Sequence, residues 1–175
     1  MNLVTPRIRL RFFAADDLDA LYDLMANADF MRFSFGPKTR AETQEVLNKF
    51  LAWNRAGAPS QFAMIDRQTT RLFGFCGFLH QEVDGAKEIE IGYRLHPSFW
   101  NKGLVTEAAR EVRNLQLECV VSLIHVDHHA SQRVAEKNGM TIAKKTDFKG
   151  FPRSFMQSRS RLGENFRVTP DELVG

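Results

Sequence analysis

The segment that most constrains the fold of this chain is Trp100-Asn101-Lys102-Gly103-Leu104-Val105-Thr106-Glu107, which joins an apolar stretch at 89–95 to a helical pattern that continues from Ala108. A strand that enters a helix through a glycine-containing turn leaves backbone N–H groups without partners at the helix N-terminus. Those donors and the helix dipole favour a phosphate or pyrophosphate. Lys102 adds a cation, and Gly103 lets the backbone approach an anion. The pattern is typical of an anion site or of an ordinary strand–helix junction.

Length and charge exclude several classes of protein. A chain of 175 residues with 43% hydrophobic and 26% charged residues predicts one soluble globular domain. The net charge of +3 suits an acidic ligand, but no run of five like charges suggests a nucleic-acid partner. The longest apolar run, at 72–79, is too short to span a bilayer, and the first ten residues lack the apolar core of a signal peptide. We expect a cytoplasmic monomer or homodimer without a membrane or nucleic-acid partner.

The two cysteines, Cys76 and Cys119, lie in apolar, strand-like segments. This context favours buried free thiols over a disulfide.

Hydrophobic periodicity alternates between strand and helix without an internal repeat. The predicted strands cover 8–12, 61–66, 71–79, 88–95, 120–125, 140–146 and about 154–160. The predicted helices are one capped by Asp16 and Asp17 with an apolar stripe from Leu18 to Ala28, one from the Thr39-x-x-Glu42 capping box to Gly57, one at about 104–115 and one at 131–137. The order is β-α-α-β-β-β-α-β-α-β-β, which predicts an α/β (or α+β) fold with a mixed sheet and helices on both faces.

Four segments resemble the GNAT superfamily of N-acetyltransferases, and most closely its ribosomal-protein N-terminal acetyltransferase branch. They are TPRIRLRF at 5–12, LFGFCGF at 72–78, EIGYRLHPSFWNKGLVTEA at 90–108 and DHHASQRVAEKNGM at 127–140. The resemblance implies a single-domain GNAT fold with a mostly antiparallel twisted sheet over residues 1–162, followed by a loose tail at 163–175. It also implies acetyl-CoA as co-substrate, a primary amine as acceptor and no metal.

In this family an amine attacks the acetyl-CoA thioester directly, through a tetrahedral oxyanion. The resemblance implies that backbone amides at 102–106 bind the pyrophosphate. The strand edge at 94–96 then binds the pantetheine arm as an added strand, and a backbone N–H near Leu95 polarises the thioester carbonyl. The implied cofactor-binding residues are Arg94, Leu95, His96, Trp100, Asn101, Lys102, Gly103, Leu104, Val105, Thr106, His128 and Ser131.

A proton donor for the leaving thiolate is expected near the fourth segment. Many family members use a tyrosine downstream of this helix, but the chain has only Tyr22 and Tyr93, which precede it. The ribosomal branch uses a serine at the start of the helix, and Ser131 matches that position. The alternative is that the Ser131 hydroxyl only caps the helix.

The candidate general base is Glu90. It alternates with Ile89 and Ile91, so it points away from the core next to the predicted cofactor strand. Partial burial there would raise its pKa, whereas the alternative is a solvated strand carboxylate. Asp147 is a second candidate, in the neighbourhood of the branch's downstream carboxylate.

Other residues have weaker interpretations. Phe30, Phe33 and Phe35 lie in the loop between the first two helices, where the family places its acceptor, and could line an apolar substrate wall. His125, His128 and His129 lack the cysteines or carboxylates that would complete a metal site.

Three departures from the family pattern bear on activity. Asn101 replaces a glycine and Val105 a smaller residue, while His128 replaces an asparagine that reaches the cofactor. The segment 104–120 is about eight residues short, which leaves Leu117 and Glu118 to form the turn after the helix. We therefore expect an N-acetyltransferase. The alternatives are an acyl-CoA-binding protein with little turnover and, more remotely, a basic nucleic-acid-associated module.

Overall fold

An eight-stranded sheet with the order β1-β2-β3-β4-β5-β6-β8-β7 organises the protein. The computed structural model describes residues 2–115 and 119–159. Its strands are β1 (Asn2–Val4), β2 (Ile8–Phe12), β3 (Gln61–Asp66), β4 (Leu72–Val83), β5 (Ala86–Leu95), β6 (Cys119–His125), β7 (Thr141–Phe148) and β8 (Phe151–Arg159). Its α-helices are α1 (Leu18–Met25), α2 (Arg40–Arg55), α3 (Leu104–Arg113) and α4 (His129–Lys137).

The strand pairing is antiparallel except between β5 and β6, which run parallel. This arrangement confirms the predicted mixed and mostly antiparallel sheet. A parallel pair needs a crossover connection, and α3 provides it between β5 and β6.

The helices cover both faces of the sheet, as predicted. On one face α3 and α4 bury Ala108, Val112 and Ala135 against a cluster that includes Ile91 and Leu95 of β5. We call it the α3/α4 face. On the opposite face, α1 and α2 bury residues such as Leu21, Leu47 and Phe50 against Ala63 and Phe75. We call this the α1/α2 face.

Two local sequence motifs, a helix-capping box and a tight turn, adopt the structures typical of them. Thr39 and Glu42 make the reciprocal capping box, with the Glu42 N–H donating to Thr39 Oγ1 at 3.2 Å and the Thr39 N–H donating to Glu42 Oε2 at 2.7 Å. Asp84 and Gly85 both have positive φ, which joins β4 to β5 through a tight two-residue turn.

Three expectations were wrong in detail. Residues 2–4 form β1, which pairs with β2 and which three residues are too short to reveal by periodicity. The first helix ends at Met25, short of Ala28, because the Asn27 side chain accepts the Phe30 N–H at 2.9 Å and turns the chain. Cys76 is buried and Cys119 is exposed, although both thiols are free as predicted.

Two predictions concern residues outside those that the structure describes. They are the loose tail at 163–175 and the turn at Leu117 and Glu118. Within the described residues, each helix is too short or too polar to cross a bilayer.

A bidentate ion pair ties β2 to the start of α1 and gives a test of the fold. Arg11 donates to both carboxylate oxygens of Asp17 at 2.6 and 2.7 Å, and the Ala14 N–H donates at 2.8 Å. Burial by itself would raise the pKa of Asp17, but these hydrogen bonds outweigh it and lower the pKa below its ordinary value. Asp17 therefore stabilises the fold when ionised, and that contribution is lost as the pH falls through its lowered pKa.

We expect Asp17→Asn to lower the free energy of unfolding at neutral pH by roughly 1.5–3 kcal/mol, measured by urea denaturation. The matched control is Asp19→Asn, which removes a carboxylate whose side chain is 80% exposed and paired to Arg40, and which should cost less than about 1 kcal/mol. The difference between wild type and Asp17→Asn should shrink in acid. Equal losses from the two variants would contradict the buried ion pair.

Candidate active site

The candidate site begins where β5 and β6 separate. Their recorded pairing is at Glu90 and Val121, after which β5 continues along β4 to Leu95. The Ser122 hydroxyl donates to the Ile91 carbonyl at 2.7 Å, so the backbone of Ile91 faces β6. Alternate residues of a strand turn their backbone groups to the same side, so Tyr93 and Leu95 direct theirs into the opening.

The edge of β5 that is open to a ligand is therefore formed by the backbone groups of Tyr93 and Leu95. The His96 N–H donates to the Phe73 carbonyl at 2.8 Å, which turns His96 toward β4. The His96 ring accepts from the Ser98 N–H and caps the 3-10 turn Pro97–Phe99. The Trp100 indole N–H donates to the Leu95 carbonyl at 2.9 Å, which leaves the Leu95 N–H for the opening.

The loop after β5 turns back into α3 through two left-handed residues. Asn101 has φ +59° and Gly103, the N-cap of α3, has φ +74°. The α-helix that follows begins at Leu104, so the amides of 104–106 lack partners within the helix. Lys102 is exposed, with its ammonium 5.3 Å from the Phe99 ring centre. The glycine-containing turn that the sequence predicted is therefore present, and it directs free backbone N–H groups away from the helix.

Arg7 stabilises this loop through hydrogen bonds. The sequence analysis did not identify it. Its guanidinium donates to the Lys102 carbonyl at 2.8 Å and to Glu107 Oε2 from Nε at 2.8 Å. The contacts join the residue directly before β2 to a loop 95 residues later, and no local pattern signals them.

Glu90 lies on the α1/α2 face of β5, half-buried at the base of the opening. Its carboxylate accepts from Gln81 Nε2 at 2.7 Å and from the Leu123 N–H at 3.3 Å. Burial raises the pKa of Glu90, and the two hydrogen bonds and the charges of Arg94 and Arg153 only partly offset that rise. A carboxylate with a raised pKa is suited to accept a proton.

Ser131 lies in the first turn of α4, on the α3/α4 face. It contacts Tyr93, to which the sequence analysis gave no catalytic role. The Tyr93 hydroxyl donates to the Ser131 carbonyl at 2.9 Å, and the Ser131 hydroxyl donates to Tyr93 Oη at 3.3 Å. Burial raises the pKa of Tyr93, which keeps it a neutral hydroxyl. The N-cap of α4 is His128, so the alternative that Ser131 caps the helix is wrong. The alternation with Ile91 was the signal that Tyr93 faces α4.

Glu90 and Ser131 therefore approach the opening from opposite faces of the sheet. Because β5 and β6 are parallel, the helices α3 and α4 that follow them begin at the same edge. The Glu90 carboxylate and the Tyr93–Ser131 hydroxyl pair thus lie on opposite faces of the sheet, beside the strand at which the opening begins.

A small cavity of about 230 Å³ lies on the α1/α2 face, with walls formed by Arg32, Phe33, Ser34, His125, Phe151 and Arg153. The Phe33 ring stacks on His128 with centroids 3.9 Å apart and an interplanar angle of 14°. Burial, together with the charges of Arg94, His125, Arg153 and Arg32, lowers the pKa of His128 to about 4.

The other predicted residues are dispersed. Phe30 is 5% exposed and packs its edge against Phe75 in the core, whereas Phe35 is 54% exposed and contacts Phe151 beside the cavity. Asp147 is exposed and accepts the Gly150 N–H at 2.8 Å in the turn between β7 and β8. Arg94 lies on the same face as Glu90, and burial lowers its pKa to about 10. In the described part of the chain, no cluster of histidine, cysteine or carboxylate side chains forms a metal site.

Comparison with known proteins identifies the family. The family described as an acetyltransferase (GNAT) domain matches residues 7–141, and an uncharacterized protein of Bacillus subtilis (strain 168), YkkB, is 34% identical over 153 residues, which cover 82% of this chain and 87% of YkkB. The chain belongs to the GNAT acetyltransferase family. The predicted superfamily and the predicted class of enzyme, an N-acetyltransferase, are confirmed.

Solved GNAT structures share the fold. An acetyltransferase from Agrobacterium tumefaciens is 25% identical with a TM-score of 0.76, covering 91% of this chain and 95% of its own. The RimL ribosomal L7/L12 alpha-N-protein acetyltransferase, in complex with coenzyme A, is 18% identical with a TM-score of 0.74, covering 90% and 96%. The predicted likeness to ribosomal-protein acetyltransferases is thus matched at the level of the fold.

Two departures from the GNAT sequence pattern have a structural explanation. Asn101 has a left-handed backbone, which asparagine tolerates better than most residues, so it replaces glycine without a large conformational cost. Val105 packs against the α3/α4 core cluster, so its branched side chain is accommodated by the protein interior.

The low pKa of His128 leads to a prediction about how the stability of this GNAT protein depends on pH. The folded protein keeps His128 neutral, while the unfolded chain binds a proton at the ordinary pKa of 6.5. The stability should therefore fall as the pH drops from about 6.5 to about 4. We expect the His128 imidazole to titrate near pH 4 by NMR, with the midpoint returning to its ordinary range in urea.

His128→Asn is the matched variant, because asparagine is the residue typical of the family. It should lose less stability than wild type over the same acid window. A His128 midpoint near 6.5 in the folded protein would contradict the cationic surroundings described above.

Proposed function

We propose that this protein is an acetyl-CoA-dependent N-acetyltransferase that transfers the acetyl group to a primary amine, of a small molecule or a protein N-terminus, by direct attack. The observation that carries the proposal is the opening between β5 and β6, with the unpaired α3 amides beside it. Family membership supports acetyl-CoA-dependent N-acetylation in general.

In this proposal the loop and the start of α3 bind the pyrophosphate of acetyl-CoA. The amides of 102–106 donate to it, and Arg7 stabilises the loop by holding the Lys102 carbonyl and Glu107. The backbone of Tyr93 and Leu95 binds the pantetheine arm as an added strand, and the Leu95 N–H polarises the thioester carbonyl.

Two groups move protons. Glu90 takes the proton from the attacking amine, directly or through water, because its raised pKa matches that task. Tyr93 positions the Ser131 hydroxyl through the hydrogen bond between them, and Ser131 turns its proton from Tyr93 Oη to the departing thiolate and regains a proton from solvent. Asp147 has no role in this scheme, since its carboxylate accepts a hydrogen bond within the turn between β7 and β8.

Coenzyme A should raise the melting temperature of the wild-type protein in a concentration-dependent way, measured by differential scanning fluorimetry. Gly103→Val should abolish that increase, since a branched side chain at the α3 N-cap displaces the amides that hold the pyrophosphate. Gly57→Val is the matched control, because both glycines have positive φ and no side-chain clash within 3.4 Å.

Both variants carry the same backbone strain of roughly 1–2 kcal/mol, so both should melt earlier than wild type. Only the Gly57 variant should keep the response to coenzyme A. An unchanged melting temperature of the wild type at saturating coenzyme A would refute the proposed function.

The proton-transfer assignments predict effects on turnover with little effect on coenzyme A binding. Ser131→Ala should lower kcat by roughly 10- to 1000-fold, measured by thiol release against a panel of amines. Glu90→Gln should lower kcat and remove the acid limb of the pH–rate profile, because the rate then no longer depends on deprotonating that carboxyl.

Thr69→Val, in the exposed turn between β3 and β4, is the hydroxyl-removing control and should leave the kinetics unchanged. Normal kinetics in both active-site variants would mean that solvent carries the protons. Firm binding of coenzyme A without turnover of any amine would instead favour the alternative of an acyl-CoA-binding protein.

A further inference from the structure

The small cavity on the α1/α2 face has the chemistry of an anion site. Two of its walls are guanidinium groups, Arg32 and Arg153, and a third is His125. Within residues 2–115 and 119–159, neither arginine lies within ion-pair distance of a carboxylate. The two guanidinium groups therefore present positive charge that no described side chain neutralises by direct contact, whereas His125 lies 3.7 Å from the Asp127 carboxylate.

Arg153 is the residue that makes this a built site. It is 7% exposed on β8, where its Nη1 donates to the Phe33 carbonyl at 3.3 Å. Its Nε is buried without a hydrogen-bond partner. A guanidinium carries five donors, and leaving them unpaired in a buried position is costly. A carboxylate or phosphate in the cavity would pair with the guanidinium where it lines the wall and would compensate its burial.

The cavity lies on the same face of the sheet as the proposed base. The Leu123 N–H donates to Glu90 at 3.3 Å, and His125 lies two residues further along the same face of β6. The charges of Glu90 and Arg153 also act on each other. An acceptor whose amine meets Glu90 can therefore place a second group against Arg153.

The aromatic walls suit the stem of such an acceptor. Phe33 lies between the Arg32 guanidinium, 5.6 Å from its ring centre, and the stacked His128 ring. Phe151 has the Arg153 guanidinium 5.7 Å from its ring centre. The volume of about 230 Å³ is of the size of a small ligand head group.

We propose that the acceptor is a small amine that also carries a carboxylate or phosphate group, and that Arg153, assisted by Arg32, binds this anionic group. This inference rests on the proposed acetyltransferase activity. It disfavours polycationic acceptors, because a second ammonium group would meet Arg32 and Arg153.

The test compares acceptors that differ only in the anionic group. An α-amino acid is compared with its amide, and phosphoethanolamine with ethanolamine, by thiol release from acetyl-CoA. We expect at least one anionic member to have a kcat/KM roughly 10- to 100-fold above its neutral partner. The two pairs distinguish a carboxylate from a phosphate. Equal or faster turnover of the neutral partners in both pairs would overturn the inference while leaving the proposed function intact.

Arg153→Gln should remove most of that preference, mainly by raising KM for the anionic acceptor, and should change the neutral partner far less. Arg153→Lys should restore part of it. Arg32→Gln provides a second test if the buried substitution unfolds the protein. Arg133→Gln, on an exposed position of α4, is the control and should leave the preference unchanged. Equal losses for anionic and neutral acceptors in the Arg153 and Arg32 variants would overturn the inference.

If no amine is turned over, calorimetry with the coenzyme A-saturated protein measures whether the anionic amines bind. Heat from the anionic amines that Arg153→Gln abolishes would support the anion site in the absence of catalysis. No heat from either anionic amine would overturn it. Failure of coenzyme A itself to bind would refute the proposed function separately.

Discussion

The separation of β5 from β6 beyond Glu90 and Val121 is the constraint on which the site depends. Each strand keeps its antiparallel partner, β4 or β8, so hydrogen bonds are given up along one edge only. The Ser122 hydroxyl satisfies the Ile91 carbonyl where the ladder ends. Because the two strands are parallel, the helices that follow them start at the same edge, and their first turns flank the opening.

Charge is distributed unevenly across the α1/α2 face. Glu90 is a half-buried carboxylate whose pKa is raised, and Arg94 and Arg153 contribute positive charge around it. His128 responds by staying neutral, with a pKa of about 4. Burial is the main cause of that low pKa, and Arg32 and Arg153, which add to it, also line the neighbouring cavity. A single arrangement thus supports both a carboxylate that can take a proton and a place for an anionic group.

Local physics explains the parts of the fold that could be predicted. The Thr39–Glu42 box, the Asp84-Gly85 turn and the loop before α3 all depend on bonds or torsions within a few residues. Alternation along β5 correctly separated Glu90 from the isoleucines. The errors arose where a short strand or a strand end has too few residues to show hydrophobic periodicity, as for residues 2–4 and for Cys119.

The sequence by itself determined the family, the mixed sheet, the glycine-containing turn before α3 and the strand face of Glu90, because periodicity and glycine torsions act over short separations. Only the tertiary structure decided what those residues meet. Tyr93 lies 38 positions from Ser131, Arg7 95 from Lys102, and Arg153 120 from Phe33. Such contacts form when strands and helices distant along the chain pack together, and no local pattern of residues encodes which side chains will then be adjacent.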